Sequence, residues 1–535
     1  MSPASADLLI RGGTVIDGTG KAPLSADVAI KDGRIAHVEP RWPGTADRVL
    51  EAAGLWVAPG FIDIHSHSDF TLLADPRAMS SIAQGVTLEV VGNCGHGCAP
   101  LTDPATAQMN VYGYAADYPI DWRSVGQYLE RLQERQPAVN VLTLVPNGRL
   151  RLAVAGLVDR PSTPDELKRM KKLLQASLEE GAFGFSTGLE YGPEQACSEE
   201  EIAELCGVVA ECGGLYATHT RNRAGEDQEA IAEAIRTAQT AGVALQISHI
   251  SVVARLTADG VRAVDGALEQ VDRARRAGLD VDFDMHTRLF GTTNLSAALP
   301  PEVLEGDQAA VAARLRDPEV RRRVGAYRSI VAGLAQGDWQ RILLSQYGPR
   351  PELSGQNLAD IGRDMGLEPT DLICELLLAA QDRVHEPMIL AFCYREDEAR
   401  RVFAHPRCMV GSDATALCPD GPLQGAVFHG AYTWAGWFFR HFVRDTGLLS
   451  PEAAVHRLTG LPAGRLGLED RGTIRPGAWA DLAVFDGQIF RERGTIAAPN
   501  LTAQGMVHVL VNGVPTLEDG VWTGARGGQV LRRGG

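Results

Sequence analysis

Short apolar runs alternate with amphipathic stretches through the middle of the chain. The apolar runs predict strands near residues 61–66, 87–91, 140–145, 182–186, 214–218, 243–248, 279–284 and 408–412. The amphipathic stretches predict helices at 164–180, 198–212, 226–241 and 260–277, and Ser198 with Glu201 forms a capping-box pattern. Repeated strand–helix units predict an α/β fold with a parallel sheet. Eight such strands can close as a TIM-like (β/α)8 barrel, with an open doubly wound sheet as the alternative.

Both ends of the chain alternate apolar and polar residues between turn signals. Strands are predicted over 7–16, 26–30 and 34–38 near the N-terminus, and over 480–485, 506–511 and 529–531 near the C-terminus. Neither end has enough strands for a stable sheet of its own. We therefore predict that residues 1–58 and 468–535 together form a small β-sandwich domain, and that the barrel occupies residues 59–467.

One connection in the barrel region is too long for a single crossover. Residues from about 290 to 407 look largely helical, apart from a strand near 342–346. We predict that they form an insertion over the active-site end of the barrel. Candidates for the pocket wall are Tyr394, Trp434, Trp437 and Phe438, although the helical spacing of the last three favours a core stripe. The sequence leaves open whether this insertion moves as a lid.

Composition narrows the class of protein. The chain has 535 residues, a hydrophobic content of 45% and a net charge of −16, which argues against nucleic acid or an anionic membrane as a partner. Nine cysteines in so long a chain are not a disulfide framework. There is no signal-peptide pattern and no apolar window long enough to span a membrane. We expect a cytoplasmic protein with a small-molecule substrate, and the oligomeric state stays open, a homo-oligomer included.

Polar residues with metal-ligand chemistry follow the predicted strands. They are His65 and His67 after the first strand, Cys94 after the second, His219 after the fifth, His249 after the sixth, Asp284 and His286 at the end of the seventh, and Asp413 after the last. Taken singly, each could be a core histidine, a buried thiol or a helix cap. Barrel active sites lie at the carboxyl ends of the strands, and mixed cysteine and histidine ligands are typical of zinc. Together these residues therefore predict a metal site.

Several motifs resemble the amidohydrolase superfamily, and within it the D-aminoacylase (N-acyl-D-amino-acid deacylase) branch. They are PGFIDIHSHSD at 59–69, GNCG at 92–95, YATHTRN at 216–222, QISH at 246–249, GSD at 411–413 and the C-terminal run RLGLEDRGTIRPGAWADLAVFD. The HxH and GSD motifs are typical of the superfamily, whereas GNCG is specific to the branch. The resemblance spans nearly the whole chain and implies a zinc-dependent hydrolase of linear amides.

The resemblance also implies roles for individual residues. Cys94, His219 and His249 would hold one tightly bound zinc ion, and His65, His67 and Asp413 would form a second, weaker position. Asp413 would serve as general base and then general acid, and His67 would help polarise the carbonyl. An acyl-enzyme route with Cys94 as nucleophile is the alternative.

The chain departs from the branch where a substrate carboxylate would bind. The lysine that usually follows the sixth-strand histidine is absent from His249-Ile250-Ser251-Val252, and the usual Tyr-Pro-Tyr and His-Pro-Arg motifs are also missing. Candidate substrate-binding residues are Arg221, Arg255, His286, Arg288 and Tyr191. Three hypotheses stay open: deacylation of N-acyl-D-amino acids, the same chemistry on a neutral or bulky amide, carbamate or cyclic imide, and a non-enzymatic metal-binding protein.

Overall fold

A computed structural model of the chain describes residues 5–109, 111–114, 118–250, 253 and 260–534. Its centre is a parallel eight-stranded barrel in which each strand lies beside its neighbour in the sequence. In chain order the barrel strands are Phe61–Asp63, Val86–Val91, Asn140–Pro146, Gly184–Gly188, Leu215–His219, Ala244–Ile247, Val281–His286 and Cys408–Gly411. The predicted (β/α)8 barrel is confirmed, and the open doubly wound sheet is excluded.

The first and last barrel strands meet at a seam. The Asp413 amide donates a hydrogen bond to the His65 carbonyl at 2.8 Å, and Ser66 and Ala414 form a parallel bridge. The first strand is shorter than predicted because the Asp63 carboxylate accepts hydrogen bonds from the amides of His65 and Ser412. Asp63 thus ties the end of the first strand to the residue that follows the last one.

Helices cover the outside of the barrel. Those between the strands include Val125–Glu134, Asn147–Val154, Pro164–Glu179, Glu199–Glu211, Asp227–Ala241 and Gly260–Arg276, and Pro451–Leu458 and Gly460–Arg465 follow the last strand. The predicted capping box at Ser198 is only half formed. Ser198 accepts from the Glu201 amide, but the Glu201 side chain instead pairs with buried Arg151 at 2.8 Å.

Strands from the two ends of the chain form one nine-stranded sheet. They are Ser5–Val15, Leu24–Lys31, Arg34–Glu39, Thr45–Glu51 and Trp56–Pro59 from the first end, and Leu482–Phe485, Met506–Val511, Val514–Glu518 and Val521–Trp522 from the second. The two sets join where Leu482–Phe485 pairs antiparallel with Trp56–Pro59. Residues 529–531 form no such strand, because Val530 makes an isolated bridge to Val141 of the barrel. The domain boundaries remain a prediction.

The insertion has a core of its own and contains more strand than predicted. Its helices are Gln308–Arg316, Pro318–Ala326, Ile330–Ala335, Leu358–Met365 and Pro369–Ala380. The next helix, Glu396–Ala404, packs on the barrel core instead. The predicted strand Ile342–Gln346 pairs with Met388–Ala391, which pairs in turn with Gly291–Asn294. The two additional strands were missed because each has only four residues and Gly291–Asn294 is polar. Within the described residues, no helix is both long and apolar enough to cross a membrane.

Candidate metal and active site

The barrel brings the predicted metal ligands together at the carboxyl ends of its strands. His65 and His67 lie just past the first strand, and both are buried. Cys94, His249 and Asp413 have φ angles of 52°, 33° and 44°, in the left-handed region that side chains other than glycine rarely adopt. Such backbone persists only where the surroundings impose it, and it concentrates at functional sites.

Two groups of potential ligand atoms share His65. The first is His65, Cys94 and His249, and the second is His65, His67 and Asp413; in each group the ligand atoms lie within 4.8 Å of one another. The Cys94 Sγ atom is 3.2 Å from His65 Nε2 and 3.5 Å from His249 Nε2. Asp413 Oδ1 is 3.2 Å from His67 Nε2 and 3.7 Å from His65 Nε2.

Asp284 fixes two members of these groups. One carboxylate oxygen lies 3.0 Å from His65 Nδ1 and accepts a hydrogen bond from the His249 amide at 2.9 Å. The other accepts from the Gln246 side chain at 2.9 Å. A carboxylate behind a ligating histidine sets the orientation and tautomer of its ring, so Asp284 leaves His65 Nε2 directed at Cys94.

His219 lies next to these groups but belongs to neither of them among the described residues. Its ring is perpendicular to that of His249, with centroids 4.7 Å apart. Its Nε2 atom is 2.9 Å from Glu190 Oε2, while its Nδ1 atom is buried and has no hydrogen-bond partner within the described part of the chain. A histidine held by a carboxylate on one nitrogen and free on the other has the usual arrangement of a metal ligand.

The charges in the site favour a bound cation. Burial alone would raise the pKa of the Cys94 thiol, but the imidazoles of His65 and His249 outweigh it and hold that pKa well below its usual range. Burial likewise opposes ionisation of Asp413, yet a hydrogen bond with His67 and the Arg288 guanidinium hold its pKa well below the ordinary value. A thiolate and a carboxylate among buried imidazoles fit a divalent metal ion, as does the His219 nitrogen that has no partner among the described residues.

Two residues of the site were missed from the sequence. Glu190 lies two positions after the fourth strand, and its carboxylate accepts from the Arg223 amide at 2.8 Å and from Arg223 Nε at 3.0 Å. Arg223 also places Nη1 3.1 Å from His249 Nδ1 and 3.4 Å from the Tyr394 hydroxyl. The strand-end rule that found His219 would have found Glu190 as well, whereas Arg223 carries no comparable signal.

The predicted substrate-binding residues lie in different places. Arg221 is outside the site, because its guanidinium pairs with Glu233 and with the carbonyls of Gln195 and Cys197. Arg288 binds Asp413 directly, as described below. The other three are distributed as follows: His286 Nε2 is 3.8 Å from Asp413 Oδ2, Tyr191 lines the cavity above the ligands, and Arg255 lies outside the described residues.

A small cavity opens above the potential ligands. The insertion supplies much of its wall, namely Gly291, Thr292, Thr293, Ile330, Leu334 and Tyr394. An adjoining, larger cavity shares Tyr191 and Thr293 with the first. Its lining includes Met109, Leu157, Leu299 and Leu304, and none of its described lining residues is Asp, Glu, Lys or Arg. The two cavities therefore differ in polarity.

Comparisons with known proteins agree with this geometry. The amidohydrolase family pattern matches residues 48–334 and 355–517. The chain is 34% identical to N-acyl-D-glutamate deacylase from Alcaligenes xylosoxydans xylosoxydans, over 98% of this chain and 96% of that protein. It superposes with a TM-score of 0.82 on D-aminoacylase, a protein described with a binuclear metal centre, at 32% identity and over 99% and 100% of the two chains. The chain also superposes on N-acyl-D-glutamate deacylase from Bordetella bronchiseptica with a TM-score of 0.81, at the same identity and coverage. That structure was solved with zinc and a phosphonate mimic of the tetrahedral intermediate.

Proposed function

Because this chain belongs to the amidohydrolase family, we propose that it is a zinc-dependent enzyme that removes the acyl group from N-acyl-D-amino acids. The observation that carries the proposal is the cluster formed by the Cys94 thiol and several imidazoles, all buried, together with the carboxylate of Asp413 in the second donor group. Relatives that align over nearly the whole chain are deacylases of this kind.

The proposed zinc site consists of Cys94, His249 and His219, with His65 placed to join it. Zinc held there would polarise the amide carbonyl and lower the pKa of the attacking water. His65, His67 and Asp413 would form the second, optional position. Cys94 is the less suitable nucleophile, because its sulfur faces His65 and His249 and is one of the donors that the metal would use.

Asp413 would move the proton. The water oxygen forms the new C–O bond while Asp413 accepts a proton from that water, and the C–N bond breaks as Asp413 delivers the proton to the departing nitrogen. His67 would orient this carboxylate and the carbonyl oxygen. Its Nε2 atom lies 3.2 Å from Asp413 Oδ1, which places the imidazole for this role.

The two cavities would take the two halves of the substrate. Arg223 and the metal-ligand groups face the smaller cavity, which would receive the amino-acid carboxylate and the scissile amide. The adjoining cavity carries no formal charge on its described lining, and burying a carboxylate there would be costly. We therefore assign it to the apolar acyl chain.

A neutral amide, carbamate or cyclic imide is the second candidate substrate. It is favoured because Arg221, Arg223 and Arg288 are already paired with Glu233, Glu190 and Asp413 respectively. A substrate carboxylate would have to share one of these guanidinium groups. A neutral substrate needs only the hydroxyls of the cavity wall, such as those of Thr292, Thr293 and Tyr394.

The test is a substrate screen on enzyme of measured zinc content. N-acetyl-D-methionine, N-acetyl-D-glutamate, their L-enantiomers and neutral aryl amides would be compared, and we expect the D-acyl amino acids to be hydrolysed. Asp413→Asn should lose about 10²- to 10⁴-fold in kcat. Asp519→Asn, whose side chain is 84% exposed, is the matched control and should retain full activity. If the zinc-loaded enzyme hydrolyses only the neutral amides, the second candidate substrate replaces the first. If it hydrolyses no amide, both candidates are refuted.

A further inference from the structure

Arg288 makes a forked contact with Asp413. Its Nη2 atom donates to the Asp413 carbonyl at 2.7 Å and to Oδ2 of the same residue at 2.8 Å, and Nη1 donates to the His429 carbonyl. The side chain is buried, with its guanidinium carbon 5.9 Å from the ring centroids of Phe290 and Phe428. A planar guanidinium whose two terminal nitrogens are both hydrogen-bonded fixes the position of the carboxylate more firmly than a single contact would.

The surrounding backbone leaves space for this guanidinium. Gly430 has a φ of +111°, and a Cβ atom at that position would come within 2.5 Å of Arg288 Nη1. Any other residue there would both strain the backbone and displace the fork. The local structure is therefore built to hold Arg288 against Asp413.

The two carboxylate oxygens of Asp413 consequently have different surroundings. Oδ1 faces His67 Nε2 at 3.2 Å and His65 Nε2 at 3.7 Å. Oδ2 faces Arg288 at 2.8 Å and His286 Nε2 at 3.8 Å. We infer that Arg288 is a positioning residue: it holds Oδ2 and leaves Oδ1 of Asp413 as the oxygen that exchanges protons with water and substrate. This inference rests on the proposed function.

The same contact affects the second metal position. Asp413 is a member of that donor group, and Arg288 already places a fixed positive charge on its carboxylate. A second cation bound to Oδ1 would lie beside this charge and would be repelled by it. We therefore expect Arg288 to weaken ion binding at the second position.

Kinetics of zinc-loaded Arg288→Met test the positioning role. We expect kcat to fall about 10²-fold because the base is misplaced, while KM changes less than about threefold. Arg288→Lys, or added guanidinium ion, should restore part of the loss. In an Asp413→Asn background, Arg288→Met should have less than about a twofold further effect. If Arg288 instead bound the substrate carboxylate, Arg288→Met would raise KM for acyl amino acids but not for neutral amides. That result would overturn the inference, and so would independent effects of the two substitutions in the double variant.

Zinc titration against a chromogenic chelator provides a readout apart from activity. Arg288→Met should bind a second equivalent at least about tenfold more tightly than the wild type, because the competing charge is gone. Arg321→Met removes an arginine that pairs with Asp371 and Glu375 in the insertion, and it should leave the titration unchanged. An unchanged second equivalent in folded Arg288→Met would contradict the charge argument. Since titration needs no substrate, this result stands apart from the outcome of the substrate screen.

Discussion

Replacing Glu190 with glutamine is a sharp test of the site, because one carboxylate contacts both His219 and Arg223. Burial alone would raise the pKa of Glu190, but Arg223 and then His219 outweigh it and lower that pKa to about 2. Compared with the ordinary glutamate pKa of 4.5, this corresponds to roughly 3 kcal/mol of favourable interaction with the ionised form. Glu190→Gln removes that charge and leaves Arg223 buried without its carboxylate.

Two quantities should respond. Zinc affinity should fall about 10- to 100-fold, which is the usual effect of removing the carboxylate behind a ligating histidine. In zinc-free protein the free energy of unfolding should also fall, by up to about 3 kcal/mol at pH 7. Because the folded pKa of Glu190 is depressed, its contribution is complete above about pH 4.5 and is lost as the pH falls toward 2. The stability difference between variant and wild type should therefore shrink in acid.

Competition with a chelator would measure zinc affinity, and urea denaturation at several pH values would measure stability. Glu233→Gln is the matched control, because Glu233 pairs with Arg221 as Glu190 pairs with Arg223 but contacts no potential ligand. Zinc affinity within about twofold of wild type in Glu190→Gln, or an equal loss in Glu233→Gln, would refute the assignment of Glu190 to His219 and the metal.

Three further predictions test the site and its substrate. Cys94→Ser should lose bound zinc in elemental analysis, whereas His67→Ala should keep most of its zinc and lose more than about tenfold in kcat. The reverse pattern would make His67 the tight zinc ligand and Cys94 the residue needed mainly for turnover. Removal of metal by a chelator should abolish hydrolysis, and added zinc should restore it; activity in verified metal-free protein would contradict a metal-dependent reaction. In a series of N-acyl-D-methionines, each added methylene should raise kcat/KM by up to about fourfold until the adjoining cavity is full. Ala297→Trp should remove this gain while N-acetyl turnover stays within about threefold of wild type, and a chain-length effect that persists in Ala297→Trp would place the acyl chain elsewhere.

Sequence reasoning predicted the barrel and most of the site for one physical reason. Parallel strands of a barrel end at the same face, so residues such as His65, Cys94 and His249 meet there although they are far apart in the sequence. The same rule could not show which of them form one donor group, because that depends on side-chain directions. His65 lies in both donor groups, and His219 lies beside them with one nitrogen that has no partner in the described part of the chain.

The roles of the arginines could not be predicted from the sequence. The sequence does not distinguish Arg221, Arg223 and Arg288 from one another. The role of each depends on which carboxylate its long side chain contacts. Arg221 reaches Glu233 outside the site, whereas Arg223 and Arg288 reach groups within it. The short strands of the insertion were missed for a related reason, since a four-residue segment is specified by its partner more than by its own pattern.

The seam between the first and last barrel strands has a consequence for dynamics. The Asp413 amide donates to the His65 carbonyl, and the His67 amide donates to the Ala414 carbonyl, both at 2.8 Å. Two of the backbone hydrogen bonds that close the barrel thus involve residues of the second donor group. Any opening of the seam must separate Asp413 from the two histidines, so an ion that bridges them would hold the barrel shut. Amide hydrogen exchange at Asp413 and His67 should therefore report, in a protein without substrate, whether that position is filled.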